Sequence, residues 1–348
     1  MQALKKDGKI ELLRFLAILF IMSDHMGHLG LKDLSRPFTG TWVFVEFFLF
    51  LSGFLTAKHF DKPQAQLSGS RLESYVTNGV VYTYKKYVRF LPYVTIAVLS
   101  EYIVRYYEYL GNHDFYHFYE NMQEMPLEIL MLSSAGNIGT RLFPLWYLSS
   151  SMLVSPFICM VSQIKNKYVK GIIAFYPAVF YYLNRSRSIG AHDYPNQIIR
   201  AMCGMLLGVF VYLLSENLKS RTLSKAARGW ITFFLTFSFC AILFVSYNGY
   251  VHITTYLLLF IAVILLTFSE QSYLPRFSNK LFLYMGKLSM PMYLFHYSLA
   301  HWIVLAIPEQ YVAAKILVYY IGSILLSMAG LALVNYVSRV RAKRKAVS

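Results

Sequence analysis

Long apolar segments alternate with short polar connections along almost the whole chain. Within each segment the hydrophobic residues are continuous and do not alternate with a period of two. A helix rises about 1.5 Å per residue, so about twenty residues cross the roughly 30 Å hydrocarbon core of a bilayer. Because that core offers no partners for backbone polar groups, the continuous pattern favours helices. The predicted spans are 10–29, 40–58, 90–110, 145–164, 170–184, 197–215, 229–247, 251–268, 284–306 and 312–337.

The polar connections carry positive charge unevenly. Short cytoplasmic loops of membrane proteins are enriched in Lys and Arg, so the distribution of these residues indicates orientation. The even-numbered connections and the C-terminal segment are basic, whereas the connection 111–141 contains Glu120, Glu124 and Glu128. The pattern predicts an all-α polytopic membrane helix bundle with ten transmembrane helices and both termini in the cytoplasm. The basic positions are Lys58, Lys62, Arg71, Lys85, Lys86, Arg89, Lys165, Lys167, Lys170, Lys219, Arg221, Lys225, Arg228, Arg276, Lys280, Arg339, Arg341, Lys343, Arg344 and Lys345.

Composition supports a single membrane domain. Hydrophobic residues make up 57% of the chain and charged residues 14%, against roughly a quarter charged in soluble domains. Residues 1–348 are predicted to form one transmembrane domain with a basic cytoplasmic tail at about 339–348. No other stretch is long enough for a second folded domain, and the connection 61–79 is predicted to be flexible or partly amphipathic. The expected location is the cell membrane.

Charge and cysteine content exclude other classes. The net charge of +16 sits in loops without the interleaved aromatic residues of a nucleic-acid surface, so no nucleic acid is expected as a partner. The cysteines Cys159, Cys203 and Cys240 lie far apart in apolar segments, which predicts neither a disulfide framework nor a metal site.

Ionisable residues are costly in a bilayer and are therefore functional candidates, and those singled out in the first span are Arg14, Asp24, His25 and His28. His25 lies eleven positions after Arg14, which is about three helical turns and about 16 Å along one face. A guanidinium could bind a phosphate at one end while an imidazole acts as a base at the other, and a pantetheine chain has about that reach. The alternatives are that Arg14 only snorkels to the interface and His25 only hydrogen-bonds a neighbouring helix.

The second span holds one carboxylate, Glu46, which needs a partner inside a membrane. Because short connections make consecutive helices neighbours, Arg14 or His25 is the expected partner. Arg200, in the sixth span, could also pair with Glu46 or with an anionic substrate, or could serve topology alone. Ser52 follows in the second span, where close helix packing is the simpler explanation.

Ordered motifs along the chain resemble the acyltransferase-3 family of membrane acyltransferases. The family's basic residue, ten residues and a histidine are matched by Arg14 and His25, and its hydrophobic strip by VEFFLFLSGF, with Glu46 where aspartate is usual. Further matches are KKYVRFLPY at 85–93, PLWYLSSSM at 144–152, Arg200 with two following glycines, and GKLSMPMYLFHYSL at 286–299. The resemblance therefore covers nearly the whole chain.

The resemblance implies transfer of an acyl group, most commonly acetyl from acetyl-CoA, to a hydroxyl of a cell-surface or exported glycan. His25 and Glu46 would be catalytic: His25 would activate the acceptor hydroxyl or transiently carry the acyl group, and Glu46 would orient His25 or stabilise its charge. Many relatives append an extracytoplasmic domain, which this chain is expected to lack. The membrane domain would then complete the transfer itself or hand it to a separate extracytoplasmic or polymer-synthesis partner. The implied donor-binding residues are Arg14, Lys85 and Arg89, and the implied substrate-binding or supporting residues are Ser52, Trp146, Arg200, Tyr293 and His296.

Two other functions stay open on the sequence. Buried Arg, Glu and His residues also occur in carriers, so a flippase for a glycan intermediate or a transporter for a small anion is the alternative, although paired short segments and inverted repeats are missing. A membrane sensor without turnover is the third. The expected partners are the lipid bilayer and a glycan or lipid-linked sugar acceptor, with no metal.

Overall fold

The computed structural model describes residues 8–38, 41, 43–61, 70–136, 140–184, 196–219, 223–231, 233–234, 237 and 280–347. Within these ranges the chain is almost entirely helical and contains no strand, which confirms the all-α prediction. Its α-helices are α1 Gly8–Asp24, α2 Lys32–Ser35, α3 Val43–Phe60, α4 Arg71–Gly111, α5 Phe115–Ile129, α6 Leu145–Gln163, α7 Lys167–Asn184, α8 Asn196–Lys219, α9 Lys280–Ala306 and α10 Val312–Val347.

Four of these helices are long and apolar enough to cross a membrane. They include residues Leu72–Gly111, Leu145–Gln163, Asn196–Asn217 and Val312–Val340, which belong to α4, α6, α8 and α10. The chain is therefore a helical membrane protein. The total of ten spans and the cytoplasmic termini stay predictions, and the segments 229–247 and 251–268 lie almost entirely outside the described residues.

Helices that are distant in sequence form the main packing contacts. α3 packs along α8, which also contacts α6 and α7, while α1 packs along α9, which contacts α10 and α4. A single cluster of buried apolar side chains runs through these helices. The site described below lies where α1, α3, α6, α8 and α9 meet.

Two polar connections contain more helix than the sequence pattern suggested. The connection 61–79 was expected to be flexible or partly amphipathic, yet α4 begins at Arg71 within it. Ser70 accepts from the backbone N–H of Glu73, and the Glu73 carboxylate accepts from the backbone N–H of Ser70, which is a capping box. In the connection 111–141, α5 forms an additional helix.

Glycines allow α3 and α8 to approach backbone to backbone. A Cβ atom at Gly53 would lie 1.9 Å from the carbonyl oxygen of Met205, and one at Gly208 would lie 2.0 Å from the carbonyl oxygen of Phe50. Small residues permit such contacts between membrane helices. The relative position of α3 and α8 is therefore fixed by main-chain atoms that cannot move as a flexible side chain would.

We expect Gly53→Ala to destabilise the protein by about 1–3 kcal/mol, the usual cost of overpacking, because the new methyl group collides with backbone. Gly171→Ala in α7 is the matched control, since a Cβ there meets nothing within 4 Å. The measurement is thermal unfolding in detergent, followed by the monomer peak in size exclusion. Equal melting temperatures for the two variants would contradict the close contact.

Candidate functional site

His25 lies where the first helix changes type. α1 ends at Asp24, a 3₁₀ turn covers His25–Leu29, and Gly30 ends the turn with a φ of 82°, a left-handed conformation that glycine adopts readily. Three residues complete one turn of a 3₁₀ helix, so His25 and His28 project from the same side. Their ring centroids lie 5.7 Å apart. The change of helix type thus brings two imidazoles together.

The last helix holds this turn in place through main-chain carbonyls. The buried Tyr319 hydroxyl donates to the carbonyl oxygen of Met22 at 3.2 Å, and the buried Lys315 Nζ donates to that of Leu29, also at 3.2 Å. Carbonyls at the end of a helix lack intrahelical donors, so these side chains satisfy them. His25 therefore sits on backbone that α10 fixes.

His25 is hydrogen-bonded to His296 of α9. The distance from His25 Nδ1 to His296 Nε2 is 2.9 Å, and His296 Nδ1 lies 2.9 Å from the carbonyl oxygen of Met292. A carbonyl only accepts, so His296 carries its proton on Nδ1 and accepts at Nε2. His25 must then donate from Nδ1. In this tautomer Nε2 is the basic nitrogen of His25.

The two histidines His25 and His28 line a cavity of about 260 Å³. Its wall combines polar groups with aromatic and aliphatic side chains, which is typical of sites that orient a small ligand. In the described part of the chain, no group of three or more His, Cys, Asp or Glu side chains is arranged to hold a metal ion. The lining residues are Ile21, Asp24, His25, His28, Val45, Phe143, Pro144, Trp146, Arg200 and Tyr293.

Glu46 does not have the partner expected from its position in the sequence. One carboxylate oxygen pairs with Arg200 Nε, and the other accepts from the Tyr182 hydroxyl at 2.7 Å. The expectation that Glu46 orients His25 is therefore wrong, because His296 contacts the relevant nitrogen of His25. The sequence rule failed because α3 packs mainly on α8 and much less on α1. The suggested pairing with Arg200 is the one that the structure has.

Arg14 lies outside the cavity, toward the other end of α1. Its Nη1 donates to Glu11 Oε2 at 3.1 Å, and Glu11 is buried against Gly286, where a Cβ atom would lie 1.9 Å from that same oxygen. Arg14 is not among the residues that line the cavity.

The remaining candidates from the sequence lie apart from the cavity. Lys85 and Arg89 are exposed on one face of α4, four residues apart. Ser52 accepts a hydrogen bond from Lys86 Nζ at 2.9 Å, which joins α3 to α4. None of these residues contributes to the cavity wall, so any role in donor binding would be exercised away from His25.

Glu128 was noted only as a loop charge, yet it shapes the cavity. The buried carboxylate accepts the backbone N–H groups of Arg141 and Leu142, which precede the lining residues Phe143 and Pro144. Burial raises the pKa of Glu128 to about 7 although these two hydrogen bonds lower it. An acidic residue in a polar connection carries no local sign that it will be buried, which is why the sequence did not indicate it.

A second ion pair, with a buried carboxylate and a partly exposed arginine, lies beyond the cavity wall. Glu101 is fully buried and binds Arg105 Nε at 3.0 Å with one oxygen and His301 Nδ1 at 2.9 Å with the other. Arg105 also contacts Glu108. None of these side chains lines the cavity.

Comparison with known proteins gives one match. The family model described as Acyltransferase domain covers residues 7–335, nearly the whole chain, and includes all the elements described above except the end of α10. No curated protein and no solved structure matches the chain.

We expect folding stability to depend on pH through Glu128. The folded protein keeps this proton up to about pH 7 whereas the unfolded chain releases it near 4.5, so stability falls as pH rises between these values and is then constant. The total change is on the order of 3 kcal/mol. Melting temperatures in detergent at pH 5 and pH 8 should therefore differ more for the native protein than for Glu128→Gln, and equal differences would contradict the assignment.

Proposed function

The chain belongs to the acyltransferase-3 family and is therefore a membrane acyltransferase, and we propose that it transfers acetyl from acetyl-CoA to a hydroxyl of a cell-surface or exported glycan. The observation that carries this proposal is the hydrogen bond between His25 and His296 at the wall of a polar cavity. It gives the family's histidine a defined basic nitrogen where an acceptor can reach it.

His25 acts as the general base. Its Nε2 takes the proton of the acceptor hydroxyl while the oxygen attacks the thioester carbonyl. The carbon–sulfur bond then breaks, and the leaving thiolate of CoA takes the proton from the His25 imidazolium. Such acid–base assistance contributes typically about 10²–10⁴-fold to a rate. His296 holds His25 in the correct tautomer and orientation, as a carboxylate does for the histidine of a catalytic triad.

The donor approaches from the Arg14 end of α1. A guanidinium binds phosphate through paired hydrogen bonds, and about 16 Å of helix between Arg14 and His25 suits an extended pantetheine chain. Lys85 and Arg89, exposed on α4, add positive charge for the phosphates of CoA. Glu11 holds Arg14 in the absence of donor, so donor phosphates compete with that carboxylate.

The acceptor occupies the cavity. A space of about 260 Å³ suits one sugar ring next to an acetyl group, and Asp24, His28 and Trp146 offer hydrogen-bond and ring contacts that suit a sugar. We place the protein in the cell membrane, where it would modify a glycan or lipid-linked sugar. A separate extracytoplasmic or polymer-synthesis protein would then use the acetylated product.

The proposal is tested with purified protein in nanodiscs, radiolabelled acetyl-CoA and glycans extracted from host cells that lack the gene. Release of free CoA that requires both protein and glycan, together with label in the glycan, is the expected result. Passage of glycan across vesicles without CoA release would instead indicate a carrier. Tight binding of acetyl-CoA without either process would indicate a sensor.

We expect His25→Gln to lower the rate of transfer by about 100-fold or more, because glutamine cannot take the proton. His296→Phe keeps the ring volume but leaves the His25 N–H without an acceptor, so the rate should fall about 10-fold, and His296→Gln should keep most of it. His117→Gln, at an exposed position outside the site, is the control. Full activity in a folded His25→Gln protein would refute the role of His25.

A further inference from the structure

Acyl transfer needs a second catalytic contribution besides a general base. As the acceptor oxygen bonds to the thioester carbon, an electron pair moves onto the carbonyl oxygen, which becomes an oxyanion until the carbon–sulfur bond breaks. Groups aimed in advance at that oxygen are often the largest single contribution to catalysis. Among the cavity-lining residues in the described part of the chain, Arg200 is the one arginine or lysine.

Three contacts fix the orientation of Arg200. Its Nε pairs with one oxygen of Glu46, the Tyr182 hydroxyl binds the other oxygen of Glu46 at 2.7 Å, and its Cζ lies 4.7 Å from the centre of the Trp146 ring. All four residues are buried, Arg200 and Glu46 completely. The guanidinium is thus held on one edge by a carboxylate and on one face by an indole while it contributes to the cavity wall.

The backbone around this ion pair is equally constrained. Arg200 is on α8 and Glu46 on α3, the two helices that Gly53 and Gly208 bring into main-chain contact. A Cβ atom at Gly204 would lie 2.9 Å from Leu49 Cβ and 3.1 Å from the Tyr182 hydroxyl. The tyrosine that supports Glu46 therefore rests on the glycine one helical turn beyond Arg200. A group held in this way needs little reorganisation when charge develops beside it.

The free-energy cost of burying the ion pair of Glu46 and Arg200 also favours a functional role for it. A buried ion pair seldom stabilises a protein more than apolar residues of similar volume would, because both charges lose their hydration. Electrostatic interactions inside a dry cavity are correspondingly stronger than in water. A guanidinium, which is always charged, can therefore act on a negative charge that develops in the cavity.

We propose that Arg200 is a catalytic residue that stabilises the oxyanion formed from the acetyl thioester, and that Glu46 and Tyr182 are its positioning residues. The inference rests on the proposed function and adds the second chemical group that the reaction requires. His25 then transfers the proton, and Arg200 stabilises the negative charge that develops on the carbonyl oxygen. The competing role for Arg200 is a purely structural clamp between α3 and α8.

The test is the double variant Glu46→Gln/Arg200→Met, which removes both charges and so leaves no unpaired charge buried. We expect kcat for transfer of labelled acetyl to the host glycan to fall about 100- to 1000-fold, the size seen when an oxyanion donor is removed. The dissociation constant for acetyl-CoA and the KM for the glycan should stay within about threefold. A structural clamp would change the melting temperature without this separation of kcat from binding.

The control is Glu101→Gln/Arg105→Met, which removes the other ion pair formed by a buried glutamate, outside the cavity wall. It should keep kcat within about threefold of the native protein. A comparable loss of kcat in both double variants would overturn the proposal, and so would a folded Glu46→Gln/Arg200→Met protein with native kcat.

Arg200→Lys tests the catalytic role of Arg200 if the double variant does not fold. Lysine keeps the charge and the pair with Glu46 but not the planar fork, so kcat should fall at least about 10-fold with unchanged binding of acetyl-CoA. Native kcat in this variant would overturn the role of Arg200. Failure of the proposed function is distinguishable, because the native protein would then release no CoA with the glycan.

Discussion

The hydrogen bond between His25 and His296 joins two helices that are separated by most of the chain, and the chemistry of the site depends on it. His296 is completely buried and its Nδ1 is committed to the carbonyl of Met292, so its Nε2 can only accept. His25 has to donate from Nδ1, which makes Nε2 its basic nitrogen. The main chain of α9 thereby sets the protonation pattern of a side chain on α1.

Two further constraints keep this pair beside the cavity. Side chains of α10 bind carbonyls at the end of α1 and of the 3₁₀ turn, so the turn cannot continue as a regular α-helix without losing them. On the opposite wall, glycines bring α3 and α8 into backbone contact, and the ion pair of Glu46 and Arg200 lies within that contact. The site is consequently built from distant parts of the chain that these contacts hold together.

The sequence predicted the parts of this arrangement that depend on local pattern. Apolar segments predicted the helices and a lone Glu46 implied a partner, whereas the spacing of Arg14 and His25 does not bring Arg14 to the cavity wall. Choosing that partner requires knowing which helices pack together, and Arg200 is 154 positions away. The start of α4 could be predicted from the local sequence, since Ser70 and Glu73 have the spacing of a capping box. The 3₁₀ turn that aligns His28 with His25 had no such signal.

The placement of Arg14 outside the cavity has a consequence for how a donor would bind. Arg14 lies in α1 and His25 in the 3₁₀ turn that follows it, so about three helical turns, or about 16 Å along the axis, separate the two residues. The same stretch of backbone therefore sets the distance between a phosphate-binding group and a base. Their surroundings differ, however, because Arg14 pairs with Glu11 of its own helix whereas His25 is hydrogen-bonded to His296 of α9. A donor phosphate would meet Arg14 in competition with Glu11, while the hydrogen bond that orients His25 involves neither of those two residues.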